Sequence, residues 1–166
     1  MKANYKVVNN RQAQLKKVIQ DFEPTGACAF LMFRYYVMRI MAESEAAGGQ
    51  DKTLSDSAEF RISDSINEFF DDAKEEAVSK YVDQDEKSMD VIISFDGTPK
   101  EFAKEFEALV LVEMVSSFEH AFLDFSDITG ISRSHFELAV AKFMSEYEQK
   151  EGKIENFWSA EFEDED

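Results

Sequence analysis

The sequence predicts a mainly α-helical protein, a single-domain bundle of about five helices with a minor β element. Two observations support this fold class. Apolar residues recur at steps of three and four positions over most of the 166 residues, which is the pattern of amphipathic helices. Only Val91–Phe95 has the β-branched composition of a strand. The length is that of one domain, so we predict a helical domain over residues 1–160 and a frayed acidic tail over residues 161–166.

A short amphipathic helix is predicted first, over Arg11–Phe22, where apolar side chains share one face. The ten residues before it are ambiguous, because Tyr5–Val8 fits a short strand that Asn9 and Asn10 would end in a turn. Pro24 breaks the chain, since helix is disfavoured at the residue before a proline. Thr25 is then in position to cap the next helix.

The most apolar stretch of the chain is Ala27–Ala42, in which only Arg34 and Arg39 are charged. A helix that is apolar on nearly every side has to be covered on nearly every side, so we predict that it is the central helix. Cys28 is the single cysteine and lies inside this stretch. We interpret it as a small buried hydrophobic residue. The Gly48-Gly49 pair ends the helix.

A strongly amphipathic helix is predicted over Ser57–Val82, with one apolar stripe that faces the central helix. Carboxylates cover much of its remaining surface, and Lys74 and Lys80 provide sparse positive charge. Runs of charge usually mark a solvated helix face. The more specific hypothesis is that this face binds a partner through Asp64, Glu68, Asp71, Asp72, Glu75 and Glu76.

The predicted strand Val91–Phe95 follows a charged linker, Asp83–Lys87. One strand leaves its backbone groups unpaired, so it requires a partner. Tyr5–Val8 would supply one and give a two-stranded ribbon, or a second subunit would supply it.

The helix start with the clearest signal is Thr98-Pro99-Lys100-Glu101, which combines a capping threonine, proline at the first helical position and glutamate at the third. We predict a long helix from there to about Asp124. Its middle, Ala108–Val112, is apolar all round and is predicted to be a second buried segment. Ser126–Ile131 is predicted to form a turn.

The last long helix is predicted to start at Ser134-His135-Phe136-Glu137, which has the capping-box pattern, and to end near Lys150. Gly152 interrupts it. Beyond the glycine, Ile154, Phe157 and Trp158 are predicted to dock a short terminal helix.

Charge gives the strongest indication of which partners are excluded. The net charge is −17, distributed as +3 over residues 1–50, −9 over 51–97 and −11 over 98–166. Such a surface repels phosphate backbones, whose binding depends on neutralisation by cations. It attracts basic surfaces instead. We therefore expect no direct binding to nucleic acid. The apolar stretch Ala27–Ala42 is too short to span a bilayer, so we also expect no membrane association and a cytoplasmic location.

Sequence patterns of catalytic and metal sites are not matched, so we expect no catalytic, cofactor-binding or metal-binding residues. The residues three positions before His120 and His135 are serines, which is incompatible with a bundle di-iron site. His120 follows Glu119 and is the one candidate for a general base with a carboxylate partner. A histidine on an ordinary helix surface is the preferred interpretation.

These observations favour a non-enzymatic acidic protein that binds a basic surface of another protein. We hypothesise an inhibitor that occupies a nucleic-acid-binding site, of phage or mobile-element origin. The first alternative is a structural or assembly protein that homo-oligomerises through its aromatic-rich helices, motivated by sixteen phenylalanines. The second is a transcriptional regulator that would use Gly130–Phe143, because Asp127–Phe136 resembles the turn and the start of the recognition helix in helix-turn-helix proteins. Only Arg133 and Lys142 are basic there, so we favour an ordinary corner between two helices.

Overall fold

The computed structural model describes residues 2–24, 26–46, 56–83 and 92–154, with the side chains of residues 2–9, 46 and 83 excepted. Within these ranges the chain forms five helices and one antiparallel ribbon of two short strands, which confirms the mainly α fold class. In chain order the elements are α1 (Lys2–Gln20), α2 (Ala27–Ala46), α3 (Asp56–Ser79), β1 (Val82–Asp83), β2 (Ile92–Ile93), α4 (Pro99–Thr129) and α5 (Arg133–Lys150).

Two compact units are distinguished. The first comprises Met1–Glu23 and Ala73–Glu113, and the second comprises Pro24–Asp72 and Met114–Asp166. Helices α3 and α4 each contribute residues to both units. The first unit therefore contains α1, the ribbon, the end of α3 and the start of α4. The second contains α2, α5 and the remaining parts of α3 and α4.

The ribbon of the first unit pairs Val82 with Ile93 and Asp83 with Ile92. The prediction that Tyr5–Val8 supplies the partner strand is therefore wrong, because those residues belong to α1. No proline or glycine precedes Pro24, so nothing in the sequence stops the helix from extending toward the N-terminus. The predicted strand finds its partner within the chain, in the residues directly after α3.

Helix α1 covers the free edge of β2 with side chains. The Gln12 amide donates to the carbonyl oxygen of Ile93 at 2.8 Å and accepts from its backbone nitrogen at 2.9 Å. Arg11 donates to the carbonyl oxygen of Phe95 at 2.6 Å. These bonds satisfy backbone groups that a short strand otherwise leaves without partners.

An aromatic cluster forms the core of the first unit. The ring of Tyr81 lies edge-on to Phe102, with centroids 4.8 Å apart, and Phe106 meets Phe22 in the same way at 5.2 Å. The Tyr81 hydroxyl donates to Glu105 at 3.0 Å. Burial, together with this carboxylate, raises the pKa of Tyr81. The phenol therefore stays protonated and keeps donating.

Helix α2 lies at the centre of the second unit, as predicted, and residues 28–44 are all buried or half-buried. Its inner face contains Cys28, Met32, Phe33 and Val37, each at most 2 % exposed. The interpretation of Cys28 as a buried hydrophobic residue is confirmed. A second group of buried rings joins α4 to α5 within this unit, namely Phe118, Phe122, Phe125 and Phe136.

Helix α4 begins at the predicted cap, where the Thr98 hydroxyl accepts from the backbone nitrogen of Glu101 at 3.1 Å. The prediction that Ala108–Val112 is buried all round is wrong. Val110 is fully buried, but Ala108 is exposed and Val112 is 60 % exposed. The apolar stripe through Phe106, Val110 and Met114 covers one face, and neighbouring apolar residues rotate toward solvent.

The corner between α4 and α5 differs from the prediction at both ends. Helix α4 continues to Thr129, beyond the predicted end near Asp124, because Phe125 extends the buried stripe. Gly130, with φ +75°, ends it. Ser132, and not Ser134, is the N-cap of α5, and its side chain accepts from the backbone nitrogen of His135.

Several predictions lie outside the described residues. These are the Thr25 cap, the Gly48-Gly49 helix end, most of the linker after Asp83, and the terminal helix and tail beyond Ile154.

Candidate partner-binding surface

The six predicted partner-binding carboxylates all lie on α3, and all six are exposed. Glu75 and Glu76 belong to the first unit. The other four, Asp64, Glu68, Asp71 and Asp72, belong to the second unit, and we call them the α3 acidic face. Their spacing places them within about 100° of the helix circumference and along about 12 Å of its axis. The face is thus a compact row of negative charge on a rigid element.

The carboxylates of the α3 acidic face have no cationic partner among the described residues. Within the described part of the chain, none of the four forms an ion pair with a lysine or arginine side chain. Of the arginines in this unit, Arg61 lies on α3 itself, yet it donates to Glu43 of α2 at 3.0 Å. Arg39 also contacts Glu43, at 3.4 Å. The hydrogen bond from Arg61 holds the pKa of Glu43 below its ordinary value, so this carboxylate retains both arginines.

The other two arginines of the second unit belong to a network on α2, α4 and α5. Arg34 binds both oxygens of Glu137, at 2.8 and 2.5 Å. Arg133 binds both oxygens of Glu119, at 3.0 and 2.7 Å, and contacts Glu137 at 3.3 Å. Bidentate pairs of this kind are directional and strong. All four arginines of the unit are therefore committed to Glu43, Glu119 and Glu137.

The guanidinium groups of this network also pack against aromatic rings. The Arg34 guanidinium lies 5.2 Å from the ring centroid of Phe118 and 5.4 Å from that of Phe136. Arg133 lies 4.5 Å from the centroid of Phe122. Because a guanidinium stacks favourably on a ring while it binds a carboxylate, both arginines are fixed in place. Sequence reasoning left open whether Arg34 is buried, and its side chain is only 14 % exposed.

The acid stability of the protein tests this network. The pKa of Glu137 is held below its ordinary value of 4.5, mainly by the hydrogen bond from Arg34. A carboxylate with a lowered folded-state pKa stabilises the fold above its ordinary pKa, and this contribution is lost as the pH falls through the lowered value. We expect Glu137→Gln to lower the melting temperature at neutral pH, and the difference from the unsubstituted chain to shrink below about pH 4.5.

Glu146→Gln is the control for this experiment, since Glu146 is an exposed carboxylate of the same helix. It removes the same charge, so general relief of repulsion affects both variants alike. Thermal unfolding followed by circular dichroism from neutral to acid pH measures the difference. A Glu137→Gln effect that stays constant with pH would contradict the assignment.

Tyr35 borders the α3 acidic face and was not identified as a site residue from the sequence. Its ring is stacked on Phe69 of α3, with centroids 4.4 Å apart and planes at 4°. Burial raises the pKa of Tyr35, and the charges of Glu68 and Asp72 raise it further while Arg39 opposes them. The phenol therefore remains a hydrogen-bond donor beside two carboxylates. Only the fold brings these residues together, since they are more than thirty positions apart.

The candidates for other chemistry do not assemble into a site. Glu119 is engaged by Arg133 at two atoms rather than by His120, which is exposed. Cys28 is 2 % exposed. In the described ranges, His, Cys, Asp and Glu side chains do not cluster in threes as a metal site requires. Arg133, one of the two basic residues that the helix-turn-helix hypothesis would place on phosphates, binds Glu119 and Glu137.

Comparison of the chain with protein-family models, with curated proteins and with solved structures found no match. None of the described helices combines the length and the hydrophobicity needed to cross a membrane.

Proposed function

We propose that this chain is a non-enzymatic binding protein whose α3 acidic face occupies a basic, nucleic-acid-binding site on another protein. One observation carries the proposal. The second unit pairs each of its arginines with Glu43, Glu119 or Glu137, and the four carboxylates of the α3 acidic face are exposed and have no cation partner in the described part of the chain. The paired carboxylates stabilise the fold, whereas the four of the α3 acidic face lie in one row and are available to bind a partner.

The electrostatics select the class of partner. Unpaired carboxylates on successive helical turns repel nucleic acid and attract lysine and arginine side chains. A groove that binds phosphates is the most strongly basic surface that proteins commonly display. Carboxylates in a row compete for such a groove, and their attraction speeds the encounter. A rigid helix also avoids most of the ordering cost of binding.

The observations behind the alternatives have a simpler explanation in the fold. Nine of the phenylalanines are buried within the chain, so its own core accounts for much of the aromatic surplus that motivated homo-oligomerisation. Arg133, one of the two basic residues in the region that resembles a helix-turn-helix, is held by carboxylates of the same unit and is not available to DNA. A catalytic role has no supporting constellation among the described residues, and the proposal assigns none.

Neutralising the α3 acidic face tests the proposal. We expect Asp64→Asn, Glu68→Gln, Asp71→Asn and Asp72→Asn together to weaken binding to a captured basic partner by roughly a hundredfold, because four lost charge pairs at roughly 0.7 kcal/mol each amount to about 2.7 kcal/mol. The control neutralises Asp127, Glu146, Glu148 and Glu151, which are exposed carboxylates elsewhere in the second unit. Equal weakening by both sets would show that only total charge matters and would contradict the proposal.

A further inference from the structure

Two clefts adjoin in the second unit, and both are formed by α2 and α4. The larger, of about 440 Å³, includes Met38, Phe125 and Ile128 in its walls. The smaller, of about 200 Å³, is closed on its other side by α3. Tyr35 and Ala121 line both clefts, so the two lie next to each other, and we call them together the α2–α4 groove.

The length of the groove follows from the positions on α4 that line it. Its residues on α4 run from Ser117 through Ala121 to Ile128, at positions that share one helix face. This face spans about 16 Å, which matches three turns of a helix or about five residues of extended chain. The groove therefore has the length of a peptide segment.

The rim of the groove is acidic. Glu45 and Asp124 border the larger cleft, and Glu68 and Asp72 border the smaller one. All four carboxylates are exposed, and they come from three different helices. Among the described residues that line the groove, Arg39 is the one cationic residue, and it contacts Glu43. The rim thus extends the α3 acidic face across the unit.

The floor of the groove is apolar. Met38 and Phe125 are almost fully buried, Tyr35 presents its stacked ring, and Ile128 is 84 % exposed at one end. An isoleucine this exposed beside a cleft is covered most readily by an apolar group of a partner. An apolar floor with an acidic rim distinguishes this groove from the cleft between α2 and α5. The walls of that cleft include both Lys142 and Glu45 and so favour neither sign of charge.

We propose that the α2–α4 groove docks a basic amphipathic segment of the partner protein, with an apolar side chain on the groove floor and lysine or arginine side chains on the rim. The inference rests on the proposed function and specifies how the acidic surface recognises its partner. Charge complementarity selects the occupant, because four rim carboxylates repel nucleic acid and anionic lipid. Apolar contact adds the affinity and shape selection that charge alone does not provide.

The test measures binding of two labelled synthetic peptides to the full chain by fluorescence anisotropy at low salt. One peptide alternates lysine and leucine with helical periodicity. The other has serine in place of each leucine, so its charge is equal. We expect the leucine peptide to bind at least roughly tenfold more tightly, since burying one large apolar side chain contributes about that factor.

Matched variants locate the site. We expect Ile128→Ser to weaken binding of the leucine peptide by roughly tenfold. Leu123→Ser is expected to leave the affinity unchanged, because Leu123 is 63 % exposed on the same helix but does not line the groove. Likewise, Asp124→Lys is expected to weaken binding, and Asp127→Lys is not. All four positions are exposed, so the variants are expected to fold.

The outcomes separate this inference from the proposed function. If both peptides bind equally, and neutralising Asp64 and Asp71 weakens both, the acidic face binds basic partners but the groove proposal is wrong. If neither peptide binds, both proposals are contradicted. Sedimentation detects a further occupant, since self-association abolished by Ile128→Ser but not by Leu123→Ser would assign the groove to a second copy and overturn the proposal.

Discussion

Phe136→Ala is expected to lower the free energy of unfolding by about 3–5 kcal/mol, the range observed when a buried phenylalanine is truncated. Phe136 is fully buried on α5. Its ring centroid lies 5.2 Å from that of Phe122 and 5.8 Å from that of Phe118, both on α4. The substitution leaves a cavity among these rings and removes one of the aromatic faces under Arg34. Chemical denaturation followed by circular dichroism measures the loss.

Phe60→Ala provides the control, because it removes the same atoms from a side chain that is 72 % exposed. Its effect is expected to stay within about 0.5 kcal/mol. Similar losses for the two variants would contradict the placement of the core between α4 and α5.

Arg34→Ala is expected to cost about 2 kcal/mol, more than most substitutions of an arginine, because it removes charge-assisted hydrogen bonds from a side chain that is only 14 % exposed. The substitution deletes the bidentate pair with Glu137 and uncovers the rings of Phe118 and Phe136. Arg34→Met is expected to cost less, since its side chain still covers the rings. The free energy of unfolding of each variant separates the packing contribution from that of the ion pair.

Arg61→Ala is the matched control for the ion pair. Its side chain is 55 % exposed and pairs with Glu43, so a loss below about 1 kcal/mol is expected. An equal loss of stability for Arg61→Ala and Arg34→Ala would contradict the larger stabilisation assigned to the stacked Arg34–Glu137 pair.

Helical periodicity allowed much of the fold to be predicted. The apolar residues of α2 and the capping residues Thr98 and Glu101 give local signals that can be recognised in the sequence. The ribbon was harder, because β1 has only two residues, and the free edge of β2 is covered by side chains of α1 that are distant in sequence. Short strands carry little local signal, since their stability comes from cross-strand pairing.

The candidate surface was predictable only in part. The spacing of Asp64, Glu68, Asp71 and Asp72 places them on one helix face from the sequence alone. Whether cations neutralise that face depends on which carboxylates the arginines bind. Arg61, which lies on the same helix as the face, binds Glu43 on another helix. Tertiary contacts decide this, so neither the unpaired state of the face nor its continuation into the α2–α4 groove follows from periodicity.

The most direct measurement is affinity capture from a lysate at low and at high salt, with the unsubstituted chain, the variant neutralised on the α3 acidic face and its control. We predict that the unsubstituted chain and the control retain a nucleic-acid-binding protein at low salt, release it at high salt, and reduce its binding to nucleic acid. The variant neutralised at Asp64, Glu68, Asp71 and Asp72 is predicted to retain none. Retention of the same protein by that variant, at either salt concentration, would contradict the proposed role of the acidic face.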